Sequence, residues 1–231
     1  MEVLLQNPER EDLSVTFELS PFITGWPSAE ERFITAINRE FSELLPVRPQ
    51  DFSSSRAGEL GESYCKYRIF GGRSTIVLNP DTLQLNFVEF IEIDNEIVIE
   101  IIRRSLDMLS KDIGGYTRNH FYLVSDRHVA IVNDGRAEVY LNQFALEQPA
   151  DIAGKEETVE YQPSVKIVLS DKDRHWTLRR TVEKSELLDN GLFVSTHISV
   201  SSHEVTAFET QKELVERIYD LADQSVGLKY H

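Results

Sequence analysis

A single cysteine, Cys65, in 231 residues rules out an intramolecular disulfide and a cysteine-rich zinc site. It lies in the alternating stretch "SYCKYRIF", so a buried, inert thiol is expected there rather than a nucleophile. Long apolar runs are also missing. None approaches the roughly 20 residues of a membrane-spanning helix, and "MEVLLQNPERED" lacks the basic and apolar regions of a signal peptide. No membrane association is expected, and a soluble protein of the cytoplasm is the default reading. Positive charge is scarce, with 24 Lys and Arg against 39 Asp and Glu, for a formal net charge of -15. Such a field repels phosphate backbones and anionic membranes and favours a basic partner. Phosphate-cradling GxxxxGK[ST] and GxGxxG patterns, the GxSxG elbow and the HExxH zinc motif are all absent, and "GGR" at 71–73 reads as a hairpin turn. No cofactor is expected.

What is present is enough apolar side chain to build a core, at 41% hydrophobic and 10% aromatic residues. "LSVTFEL" (13–19) alternates Leu13, Val15, Phe17 and Leu19 with polar residues, the period of a half-buried strand. After "TGWP", Ser28 and Glu31 have capping-box spacing, and Phe33, Ile34, Ile37, Phe41, Leu44 and Leu45 recur at helical intervals up to Pro46. Residues 47–62 read as a loop, rich in Ser, Gly and Pro. "SYCKYRIF", "STIVL" and "TLQLNFV", separated by "GGR" and "NPD", read as an antiparallel meander. A second helix follows from about Asp94 to Gly114-Gly115. Beyond it come strand candidates "NHFYLV", "HVAIV" and "AEVYLN", with "SDR" and "NDGR" as turns. Residues 145–160 are acidic and weakly hydrophobic and read as a long loop or linker. "SVKIVL", "HWTLRRTVE" and "LFVSTHISV" are three further strands, and a last helix runs from about Thr206 or Thr210 to Gly227, with Thr206 and Glu209 in capping-box spacing.

Strand runs joined by hairpins predict an α+β fold, with antiparallel meander sheets covered by three helices. They can be arranged as one large curved sheet or as two sheet-plus-helix lobes. A boundary near Gly114-Gly115 would divide a strand–helix–three strands–helix unit (1–115) from a strand-rich unit closed by a C-terminal helix (116–231).

"VTFEL" near the start, the helix ending "LLP", then "YRIF", "STIVLNPDTLQLNF" and "EIIRRSLDML" together resemble the N-terminal half of a sporadically distributed family of uncharacterised bacterial proteins. The resemblance covers about 100 residues and its motifs are structural. The C-terminal half departs from the family pattern, matching its short arginine-containing strand only in "YTRNHF". The resemblance implies a bacterial or phage origin and brings no activity with it.

Two stretches invite a functional reading. "LNFVEFIEIDNEIVIEII" (85–102) places Glu89, Glu92, Asp94, Glu96 and Glu100 among apolar residues without one Lys or Arg. Its period changes near Asp94, so helix capping, first-turn charge and pairing of Glu100 with Arg103 or Arg104 account for most of these carboxylates better than a metal site does. "DKDRHWTLRRTVEK" (171–184) is locally basic around an aromatic, and its Arg174, Trp176, Arg179 and Arg180 are the candidate ligand-binding residues. On a strand, however, Trp176 and Arg180 take one face and Arg179 the other, which disfavours nucleic acid and favours pairing with the abundant carboxylates. The six histidines show no ligand spacing, so no metal site is predicted, and Asp126 with His128 is a pair of a common kind.

The expectation from sequence is an acidic protein that works by binding, as an accessory, inhibitor or antitoxin-like partner of another, basic protein; a homo-oligomer is compatible with this. The alternative is a small-molecule binder or enzyme with a pocket between a curved sheet and the last helix.

Overall fold

Alternation in the sequence carries directly into structure. In the computed structural model, which describes residues 3–56, 62–89, 93–114, 117–132, 136–144, 163–173, 175–201 and 208–230, Val15, Phe17 and Leu19 are the buried apolar residues of a strand. The elements are β1 (Val3–Leu5), β2 (Arg10–Ser20), α1 (Trp26–Phe41), β3 (Phe52–Ser55), β4 (Tyr64–Ile69), β5 (Ser74–Leu78), β6 (Thr82–Phe87), α2 (Asn95–Met108), β7 (Thr117–Ala130), α3 (Ala137–Asn142), β8 (Val165–Ser170), β9 (Trp176–Lys184), β10 (Gly191–Ser201), α4 (Phe208–Val226) and β11 (Leu228–Tyr230). The fold is α+β. Nine strands form one antiparallel sheet in the order β3-β4-β5-β6-β2-β7-β10-β9-β8, and β1 and β11 pair in parallel as a small second sheet.

Connectivity repeats across the middle of the large sheet. Strand β2, helix α1, the meander β4–β6 and helix α2 are followed by strand β7, helix α3, the meander β8–β10 and helix α4. In each half the last meander strand returns to pair with the first strand, β6 with β2 and β10 with β7. The halves meet where β2 and β7 pair antiparallel, with Val15 opposite Leu123 and Phe17 opposite Phe121. An approximate twofold in connectivity therefore passes between these two strands. The core ignores the junction: one cluster takes in Val15 and Phe17 of the first half with Leu178, Ile198 and Val200 of the second. The opposite sheet face is polar, as one-sided antiparallel sheets are. Among the described residues no helix is long and apolar enough to cross a membrane.

Several sequence expectations are corrected. "AEVYLN" is not a strand but α3: Ala137, Tyr140 and Leu141, the residues it buries, stand at i, i+3 and i+4, a spacing that six residues can satisfy together with alternation. Among the described residues there are thus four α-helices rather than three. "SDR" is not a turn, because β7 runs unbroken for 14 residues through Ser125, Asp126 and Arg127. The stretch 47–62 is more than a loop, since Phe52–Ser55 pairs with β4. Helix α1 begins at Trp26, with Gly25 as N-cap and Pro27 in its first turn, so Ser28 is inside the helix and caps nothing. Gly71 and Gly72, at φ 68° and 92°, make the turn that "GGR" predicted. Cys65 is fully buried, and that burial pushes its thiol up to about 12. The 145–160 stretch and Thr206 of the expected capping box lie outside the described residues, and Glu209 stands in the first turn of α4.

Candidate functional site

The central ladder of the sheet supplies the floor of a cavity of about 320 Å³. Leu13, Val15 and Phe17 of β2 lie beside Phe121 and Leu123 of β7; Val98, Ile99 and Ile102 of α2 form one wall, and Phe208, Val215 and Tyr219 of α4 the other. The elements place these side chains by their periods alone, every second residue of the strands and one stripe of each helix. Volume does not single this cavity out. A second of about 320 Å³, near Arg48, Tyr67 and Gly71, and a smaller polar one near Arg136 and Asp189 lie elsewhere. Its lining does: it is largely apolar, with Glu11, Arg127 and Tyr219 in mutual contact as one polar cluster, the composition of small-molecule sites.

That polar cluster is built around the "SDR" triplet. Glu11 and Arg127 sit opposite each other in the β2–β7 ladder, and Arg127 Nε donates to Glu11 Oε1 at 2.6 Å. Ser125 Oγ donates to the same oxygen at 3.0 Å. The glutamate side chain is only 9% exposed, so without this pairing its charge would be stranded. Burial works against the Arg127 charge, but Glu11 and the neighbouring tyrosines more than offset it, and the guanidinium stays firmly protonated. It stacks over the ring of Tyr219, 5.0 Å from the centroid, and lies 5.9 Å from that of Tyr230. Burial in turn raises both phenols above their usual range.

Arg180 backs the same ring, 5.5 Å from the Tyr219 centroid. It has no exposed surface; its Nη1 pairs with Asp223 of α4 and its Nε donates to Thr196 Oγ1 at 3.1 Å. Burial raises the Asp223 carboxyl although Arg180 pulls the other way. Nη2 of Arg180 is buried without a hydrogen-bond partner among the described residues. The other candidates from the basic stretch are dispersed. Trp176 is half-buried against the main core, on the same face as Arg180, whereas Arg179 is exposed on the opposite face. Arg174 lies outside the described residues.

The carboxylates of residues 85–102 have structural roles. Asp94 caps α2, accepting from the backbone N–H of Glu96 at 2.9 Å, and Glu96 occupies the first turn. Glu100 accepts from both Arg103 and Arg104, which hold its carboxyl down at about 2. Glu89 pairs with Arg10 at 3.6 Å. Glu92 lies outside the described residues. Among those residues no group of three or more His, Cys, Asp and Glu side chains could hold a metal.

His128 Nδ1 and Ser185 Oγ are 2.9 Å apart, among the described residues the one histidine–serine contact resembling a catalytic pair. Ser185 Oγ also accepts from the backbone N–H groups of Leu187 and Leu188, both at 3.1 Å, which makes it the cap of the turn after β9. Burial, followed by nearby Arg10, lowers the imidazole pKa.

Sequence reasoning missed Glu11, Ser125, Arg127 and Tyr219. The usable signal was Phe121, Leu123, Ser125, Arg127 and Val129, an unbroken period of two in which the polar pair occupies inward positions. No family model matches the chain, and no curated protein matches it.

Proposed function

We propose that this protein binds a small, elongated, mainly apolar molecule between the β2–β7 ladder and helices α2 and α4, and that it does so without chemistry. The observation that carries this reading is the lining of that cavity, apolar over Leu13, Val15, Phe17, Phe121 and Leu123 and bordered by the cluster of Glu11, Arg127 and Tyr219. A cleft of about 320 Å³ lined mainly by apolar side chains over the central strands offers an occupant apolar surface to bury. The polar cluster would orient that occupant. Strand β9 contributes from behind, through the contact of Arg180 with Tyr219.

Titration with the uncharged dye N-phenyl-1-naphthylamine tests this reading. Saturable one-to-one enhancement is expected, and it should be lost in Val98→Trp, which fills the cavity from α2, with Val215→Phe as a second filling variant from α4. No saturable signal in the wild-type protein would sink the reading.

A second reading, a basic protein partner, draws on the net charge of -15 and on β8. This strand ends the sheet among the described residues, with Val168 67% exposed. Sheet edges accept a further strand, and acidity would favour a basic one. Native mass spectrometry of gently purified protein separates the two: a basic protein at fixed stoichiometry supports the second, a retained small molecule the first.

A further inference from the structure

Resting on the cavity reading above, we infer that the occupant is an uncharged amphiphile, an alkyl chain ended by a hydroxyl or amide, and not a fatty acid, an alkyl phosphate or an alkyl cation. The charges that line the cavity come in matched pairs. Glu11 and Arg127 meet at 2.6 Å in cross-strand register, and Lys212 and Glu216 face each other across one turn of α4 at 3.8 Å. Directly behind them Arg180 and Asp223 form a third pair. The lining thus carries two positive and two negative groups and no net charge.

An anionic head has nowhere to go in such a lining. To reach Arg127 it must displace Glu11, leaving a nearly buried carboxylate without its counter-ion, or sit beside both and feel them cancel. The net charge of -15 opposes it further. A cationic head gains from the overall field but meets Arg127 and the rim Lys212 in the same way. A hydroxyl or primary amide, by contrast, can donate to Glu11 and accept from Arg127 at once without separating them, and the Asn95 and Gln211 amides in the lining offer neutral partners as well. At about 30 Å³ of liquid volume per water-sized unit, the space takes roughly ten heavy atoms of a saturated chain, or more of a flat aromatic such as the dye, which packs its atoms more densely.

Four probes of one chain length make the test: decan-1-ol, decanamide, decanoate and decylammonium at pH 7.5, each displacing N-phenyl-1-naphthylamine. Decanol and decanamide are expected to displace the dye at concentrations about tenfold below the two ions, one power of ten in dissociation constant. Glu11→Gln, which leaves Arg127 uncompensated, should move the decanoate-to-decanol ratio about tenfold towards decanoate. If that variant does not fold, Lys212→Glu at the rim serves instead and should move the ratio towards decylammonium. Decanoate equal to or better than decanol in the wild-type protein overturns the inference and leaves the cavity reading standing. A ratio unmoved in a folded variant overturns it too, because matched charges would then not set the preference. If dye binds but no probe displaces it, the inference falls and the cavity reading stands; if no dye binds, both fall.

Discussion

Arg180 is a guanidinium with no exposed surface, held between Thr196 and Asp223. Removing one partner of a buried pair strands the other, which costs more than the pair itself contributes. Arg180→Ala is therefore expected to lower the unfolding free energy by about 3–5 kcal/mol, and Arg180→Met with Asp223→Leu to recover most of that loss. Urea denaturation checks both, and a loss below about 1 kcal/mol in the single variant would mean that water reaches Asp223 freely. Half of this environment was legible in the sequence. Alternation puts Trp176, Leu178, Arg180 and Val182 on one face, and the reading that Trp176 packs on the core and that the arginines pair with carboxylates holds for Trp176 and Arg180, but it does not name the carboxylate. Asp223, the partner, lies 43 residues further on, in a helix whose docking no local pattern specifies.

At the scale of elements, strong periodicity was read correctly where it had room to repeat. Helix α1, the β4–β6 meander and α2 follow from the sequence because each carries enough turns or alternations to exclude the other period. The failures share a cause. In α3, six residues fit both periods, and in β7 the polar inward pair Ser125 and Arg127 imitates a turn because its partner, Glu11, comes from a distant strand. The cavity lies where the alternative reading of the sequence put a pocket, between the sheet and the last helix, but its polar cluster was missed because it includes the very stretch mistaken for a turn. Helix α2 offers a pH test. Its Glu100 carboxyl is held at about 2, below the ordinary 4.5, by Arg103 first and then Arg104. A folded-state pKa lowered in this way adds stability that is complete above 4.5 and disappears as pH falls towards about 2. Glu100→Gln should flatten the fall in melting temperature across that window while leaving the curve above pH 5 parallel to wild type. Superimposable acid limbs would show that the arginines do not hold Glu100 in solution.

The whole molecule is tied together at its middle. Strands β2 and β7 belong to different halves yet form an antiparallel ladder from Arg10 opposite His128 to Ser20 opposite Thr117. The main core draws on both sides of it. Connectivity suggests two units, but the main core is built by both of them, and the smaller cluster around Tyr140 and Val194 in the second half also takes in Val3 and Leu5 of β1. Calorimetry should accordingly find one transition, with the van't Hoff and calorimetric enthalpies equal. Two resolved transitions would instead mean that the halves unfold independently.

The smallest sheet has a mechanical consequence. Val3 is aligned with Leu228 and Leu5 with Tyr230, so β1 and β11 run side by side in the same direction near the two ends of the chain. A pull that draws residue 3 away from residue 230 grips this pair at opposite ends. The strands must then slide past one another, with their hydrogen bonds loaded together instead of peeling apart singly. Three residues a side would act as a clamp that resists stretching together with the hydrogen bonds tying Leu4 and Gln6 to the end of β7.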